Sequence, residues 1–197
     1  MASLRETKKQ ATRQAIADST ARIILDDGVD ELTVSRVADE AGISARTFHN
    51  YFSDLHEALL VFTETSISAA ADDLAALSDE YSTVDAAEKL FSDAVEDTTA
   101  HLHSLSSLLL VADRVKRMGR PPQNEPRQME RLLEPLVREF GRRSHLDSPV
   151  ESRILFAACS SVGAAAISEY YKLPEPRDPE QGREIVRTAF KVLRTTS

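Results

Sequence analysis

Leu32-Thr33-Val34-Ser35-Arg36-Val37-Ala38-Asp39-Glu40-Ala41-Gly42-Ile43-Ser44-Ala45-Arg46-Thr47-Phe48-His49-Asn50-Tyr51-Phe52 is the stretch that decides the fold. Thr33 offers a side-chain oxygen just ahead of Val34-Ser35-Arg36-Val37-Ala38, which predicts a capped short helix over 34–41. Gly42 ends that helix, Ile43 supplies an apolar plug, and Ser44 caps a second short helix over 45–51. Two short helices separated by a Gly-apolar-Ser turn follow the pattern of a helix-turn-helix. Val37, Ala38 and Ala41 make the inner face of the first, and Ile43, Phe48 and Phe52 plug the second against an earlier helix. Ala45, Arg46, Thr47, His49, Asn50 and Tyr51 are left facing outward, as hydrogen-bonding and methyl-bearing groups suited to groove edges and phosphates. Arg46 can pair bidentately with a guanine, while Thr47 can offer either its methyl to a thymine or its hydroxyl to a phosphate.

Upstream, Ala11, Ala15, Ile16, Thr20, Ile23 and Ile24 recur at three- and four-residue steps and predict an amphipathic helix over 8–27, stopped by Gly28. Residues 1–13 hold Arg5, Lys8, Lys9 and Arg13 against the single acid Glu6, with Arg36 and Arg46 following. The whole chain carries a net charge of −8, so any nucleic-acid surface must be local. The acidic excess falls downstream, where it would limit non-specific binding.

Downstream, Ser53 or Asp54 caps a fourth helix bearing Ala58, Leu59, Phe62, Leu74 and Leu77. Longer helices are expected over 83–103, 105–117, 126–143, 149–172 and 179–194. Breaks fall at Gly119-Arg120-Pro121-Pro122 and Pro174-Glu175-Pro176-Arg177-Asp178-Pro179. Pro126, Pro149 and Pro179 suit first helical turns, whereas Pro135 would kink a helix or mark a late start. With six glycines in 197 residues and no alternating apolar pattern, the expectation is an all-α chain of about nine helices. A three-helix head occupies 1–52 and a regulatory, dimerising body 53–197.

Thr33 to Leu59 resembles the signature of the TetR family of transcriptional regulators. The resemblance rests on the capping Thr33, on Ala38 ahead of Ala41-Gly42-Ile43-Ser44, and on Thr47-Phe48 followed by the Tyr51-Phe52 pair. It implies a homodimer that reads double-stranded operator DNA, most often a repressor released from a palindromic site by a small-molecule effector. By that resemblance Thr33 and Tyr51 contact phosphates, Val34 and Ser35 lie at the backbone or a groove edge, and Ala45, Arg46, Thr47 and His49 face bases. Asn50 lies near the backbone, and Ser44, Lys8 and Lys9 complete the DNA-binding set. Two departures stand out: many members carry Tyr where His49 sits, and Lys where Leu55 sits. Leu55 cannot anchor a phosphate, so that clamp is missing or is supplied by His56 or the basic N-terminal segment.

The resemblance also assigns the last two long helices to dimerisation. Ala157, Ser161, Ala164 and Ala165 on one, beside Gly163, would allow close approach; Ile185, Ala189, Phe190 and Leu193 on the other recur at helical spacing. An effector pocket is expected between the middle helices, with Phe91, Val95, Leu102, Leu105, Leu109, Phe140 and Phe156 as apolar candidates, each also a candidate for plain core.

Other chemistry finds little footing. His101 and His103 stand two apart and point to different helix faces, and Asp97–His101 reads as an ordinary solvated pair. The lone Cys159, in an apolar segment, reads as a buried small residue, and no cysteine cluster suggests zinc. Gly119-Arg120-Pro121-Pro122 cannot cradle a phosphate, and Ser160 and Ser161 lack a Gly-flanked elbow. No metal, cofactor or catalytic set is expected. The most apolar run, Ile154–Ile167, reads as too short to span a bilayer, and the N-terminus lacks a signal peptide's apolar core, so a cytoplasmic protein is expected. Two other classes stay open: a helical dimer acting through a protein partner, and an enzyme with its site in the body.

Overall fold

Nine α-helices, one turn of 3₁₀ helix and no strand occur among residues 4–96, 101–117 and 126–195, which the computed structural model describes. In chain order they are α1 (Leu4–Asp26), the 3₁₀ turn Val29–Glu31, α2 (Val34–Glu40), α3 (Ala45–Tyr51), α4 (Leu55–Ala76) and α5 (Thr83–Glu96). Then come α6 (Leu105–Arg117), α7 (Pro126–Ser144), α8 (Pro149–Tyr170) and α9 (Pro179–Thr195).

The caps that the sequence offers are used. Thr33 Oγ1 accepts the Arg36 N–H at 3.2 Å, Ser44 Oγ accepts the Thr47 N–H at 3.1 Å, and Asp54 Oδ1 accepts the Glu57 N–H at 2.9 Å. Each satisfies a backbone donor that the first helical turn leaves without a partner. Asp54, not Ser53, is therefore the cap of α4. Three elements depart from expectation. α1 starts at Leu4, so Arg5 and Glu6 join Lys8 and Lys9 on the helix. The expected 83–103 helix ends at Glu96. A turn closed by Ser104 N–H to the His101 carbonyl (2.8 Å) then lets Ser104 Oγ cap α6 through the Ser107 N–H at 3.1 Å. Pro135 lies inside α7, which continues through it. Proline removes a backbone donor there, while Leu136 and Val137 beside it are buried. Asp97 and Gly119–Pro122 lie outside the described residues.

The chain divides into two compact units, residues 1–66 with 110–123, and residues 67–109 with 124–197. The expected boundary at 52 falls within the first. That unit is built on Ile16, Ile23, Val37, Phe48, Phe52 and Ala58, with Leu32, Val34, Ala41, Ile43, Tyr51 and Leu55 packed at its edge. Phe48 and Phe52 lie at or below 1% exposure, so α3 is anchored by two rings that together hide a few hundred Å² of apolar surface. Arg114 on α6 donates to the carbonyls of Ile24 and Leu25 at 2.5 and 2.6 Å. It thereby places a cation on the negative end of α1.

The second unit packs α5, α7, α8 and α9 around Phe91, Phe140, Phe156, Ile167, Tyr170, Val186 and Phe190. Arg143 of α7, its side chain almost wholly buried, crowns the C-terminus of α4 by donating to the carbonyls of Leu74 (3.1 Å), Leu77 and Ser78 (3.3 Å). Glu139 lies 3.3 Å away and balances its charge. Cys159 is fully buried, and burial pushes its thiol up to about 11, which leaves it un-ionised and unreactive. α8 is long and apolar enough, by length and composition alone, to cross a membrane, and only a third of its most apolar window is buried within this chain. Its position against α5, α7 and α9 is that of a core helix with one apolar face left open.

Candidate nucleic-acid interface

The turn between α2 and α3 places Gly42 at φ +66°, a conformation that costs glycine nothing and other residues about 1 kcal/mol or more. The Ile43 N–H reaches back to the Ala38 carbonyl at 2.9 Å and closes the turn. Ala38, 2% exposed, lies at the point of close approach. The result fixes α3 with Phe48 inward and its polar residues outward.

Ala45, Arg46, His49 and Asn50 are exposed, as are Thr33, Ser35, Ser44, Lys8 and Lys9; Val34, Thr47 and Tyr51 are half-buried. Val34 and Tyr51 also pack against the core of this unit, so each is partly a packing residue. Among the described residues no hydrogen bond or ion pair holds the Arg46 guanidinium. The Thr33 and Ser44 oxygens accept cap bonds; Thr33 keeps its proton for an outside acceptor, while Ser44 shares a hydrogen bond with Thr47 Oγ1 at 2.8 Å.

Lys8, Lys9, Thr47, Asn50 and Tyr51 come together along a groove between the N-terminal half of α1 and α3, joined there by Arg5, Thr12 and the acid Glu6. Arg5 and Thr12 did not stand out in the sequence as contact residues: Arg5 lies ahead of the expected helix start, and Thr12 carries no charge to mark it. Thr33, Val34 and Ser35 stand separately, at the start of α2.

Two basic residues leave the expected surface. Arg36 pairs with Asp27 at 2.8 Å, and that carboxylate raises the guanidinium's hold on its proton while masking its charge. Arg13 points inward. Its guanidinium lies 4.3 Å over the Phe52 ring, donates to the Tyr51 carbonyl at 2.7 Å and pairs with Glu57 at 3.0 Å. Leu55 is half-buried against the core of this unit, which explains why an apolar residue stands there.

In the second unit, Phe91, Val95, Phe140 and Phe156 are buried in the core, and Leu105 and Leu109 pack on it. Leu102 is half-buried in the turn before α6. Only Leu105 of these seven lines the cavity of about 270 Å³ bounded by Asp73, Leu77, Leu90, Asp93 and Ser104. A larger cleft of about 550 Å³ is lined by Val84, Leu146, Glu151, Leu155, Ala158 and Arg194. Ala157, Ser161, Ala164 and Ala165 are exposed on α8, together with Val150 (57%) and Ile154 (64%). Ile185, Ala189 and Leu193 of α9 are half-buried against the core, whereas Phe190 is wholly inside it and unavailable to a partner. Gly163 likewise faces inward, against Phe91.

A capped helix pair with an exposed polar second helix and a basic groove beside it defines a helix-turn-helix head. Residues 16–61 match the family described as bacterial regulatory proteins, tetR family. No curated protein matches the chain. Among solved structures, the transcriptional regulator FadR from Bacillus subtilis in complex with stearoyl-CoA aligns at TM-score 0.60 and 14% identity, over 91% of this chain and 96% of that one. The multidrug binding protein EbrR complexed with ethidium aligns at 0.56 and 20% identity, over 90% and 98%. A TetR family transcription regulator from Marinobacter aquaeolei VT8 aligns at 0.56 and 19% identity, over 94% and 96%. Residues 16–61 thus carry a tetR-type DNA-binding region, and the chain is similar in fold to these regulators.

Proposed function

We propose that this chain is a TetR-type transcriptional regulator, a homodimeric repressor that binds a palindromic operator through α3 and is released by a small molecule held in its helical body. The observation that carries the DNA half is Arg46, exposed on α3 between Ser44 and His49, with no partner among the described residues. A two-fold operator needs two such helices about 34 Å apart, hence two copies. The open face of α8, with Val150, Ile154, Ala157, Ser161, Ala164 and Ala165, is apolar and small enough to support that pairing. Ile185, Ala189 and Leu193 border it in sequence pattern, and Phe190 supports it only from inside the core.

The effector half is supported by the clefts of the second unit and by the ligands of proteins that share the fold. FadR holds stearoyl-CoA and EbrR holds ethidium, so this architecture accepts molecules of very different charge. Release follows if the effector binds better to the arrangement that does not fit DNA. Operator DNA as the partner places the protein in the cytoplasm, with no catalytic residue required.

A gel shift tests the DNA half, using the DNA upstream of the protein's own gene. Arg46→Ala is expected to weaken the specific complex by roughly 1–3 kcal/mol, with the melting temperature unchanged. An unchanged footprint removes Arg46 from base reading.

A further inference from the structure

α3 has seven residues, and a helix that short is not stable by itself; isolated helices need roughly 12–15 residues to approach even marginal stability. Its orientation must therefore come from what holds its ends. Ser44 holds the first turn, and Phe48 and Phe52 hold the inner face. The last turn is held by a single guanidinium from α1. Arg13 stacks on Phe52, caps the Tyr51 carbonyl at the negative end of α3, and pairs with Glu57 Oε1. Glu57 uses its other oxygen, Oε2, to accept the Ser53 N–H at 2.9 Å and the Ser53 hydroxyl at 3.1 Å, at the start of α4. One ion pair thus joins α1, the end of α3 and the start of α4.

We infer that Arg13 and Glu57 are positioning residues that set the angle of α3, and so set how well the protein tells its operator from other DNA. This rests on the DNA-binding reading above. Tyr51, whose carbonyl Arg13 grips, lines the basic groove beside Asn50 and Thr47, so a slip at this joint moves the surface that meets DNA. Three simultaneous contacts need a flat, forked cation; a lysine keeps the charge but loses the fork.

The sign of one substitution separates this role from simple electrostatics. Glu57 is an acid near a DNA-binding surface, so removing its charge should, by Coulomb repulsion alone, strengthen binding to every duplex. Positioning demands the opposite for the operator. The test uses the full-length protein, a duplex that wild type selects from a random-sequence pool, and a scrambled duplex of the same composition, titrated across salt. Glu57→Gln and Arg13→Lys are each expected to bind the selected duplex about tenfold or more weakly. Binding to the scrambled duplex should be unchanged or tighter, and the Arg13→Lys salt slope should match wild type. Melting curves fix the assay temperature well below unfolding of either variant. Equal changes on both duplexes, or none on the selected one, overturn the inference. If wild type selects no sequence, the DNA-binding reading itself falls.

Discussion

The hydroxyl oxygens of Ser44 and Thr47 lie 2.8 Å apart at the start of α3, and Ser44 Oγ also accepts the Thr47 N–H. One of these two hydroxyls donates to the other, so a single hydroxyl hydrogen remains at the start of α3. Ser44→Ala removes the cap and should cost about 1 kcal/mol of stability, whereas Ser44→Gly should cost only a few tenths. Urea unfolding of the two variants reads the difference. Equal losses would mean that the hydroxyl matters for something other than capping.

Gly163 faces the Phe91 ring so closely that a methyl group there would overlap three of its carbons. The ring is packed with Phe190 and has little room to yield. Gly163→Ala should therefore destabilise the chain by about 1–3 kcal/mol through overpacking, despite alanine's better helix propensity. A rise in stability, measured by thermal unfolding, would show that the ring moves aside freely.

The head was legible in the sequence because its signals are local. A cap, a glycine at positive φ and an apolar plug each act within a few residues, so Thr33, Gly42, Ser44 and Phe48 could be assigned roles without coordinates. Arg13 and Arg36 could not. Both looked like members of a basic surface, and what removes them from it is Glu57 and Tyr51 at separations of 44 and 38 residues, and Asp27 at nine. The body is harder for the same reason. Phe190 and Gly163 sit on apolar helices whose inward and outward faces look alike in sequence, and only the neighbours, Phe91 above all, decide which face is hidden. The pocket candidates failed to separate from the core because an aromatic at helical spacing serves either end.

Val150, Ile154 and Val192 are 57%, 64% and 58% exposed in the single chain, an arrangement that a dimer would repair. Ile154→Glu puts a charge on the exposed face of α8, near its N-terminal end, without touching the core. It is expected to weaken self-association by roughly tenfold or more, given about 25 cal/mol per Å² of apolar surface and the cost of burying a carboxylate. Sedimentation equilibrium measures this directly. A protein that stays dimeric to the same concentration as wild type must pair through another surface.

Mild acid should loosen both units, through carboxylates at the start of two helices. Glu57 is held below the ordinary carboxylate range first by the Ser53 N–H, with Arg13 adding to it. Asp85 is held low first by the Ser82 hydroxyl, at 2.6 Å, with Arg194 adding to it. In both, the folded chain binds its proton less readily than the unfolded chain. The stabilisation is therefore complete above the ordinary value, about pH 4–4.5, and is lost as pH falls through the lowered folded values. Glu57→Gln and Asp85→Asn should each be less stable than wild type at neutral pH. Each should also lose less on acidification, so that the curves converge near pH 3 or below. Urea unfolding across pH 3–7 provides the comparison. Curves that run parallel to wild type would show that these two carboxylates take no part in the acid response.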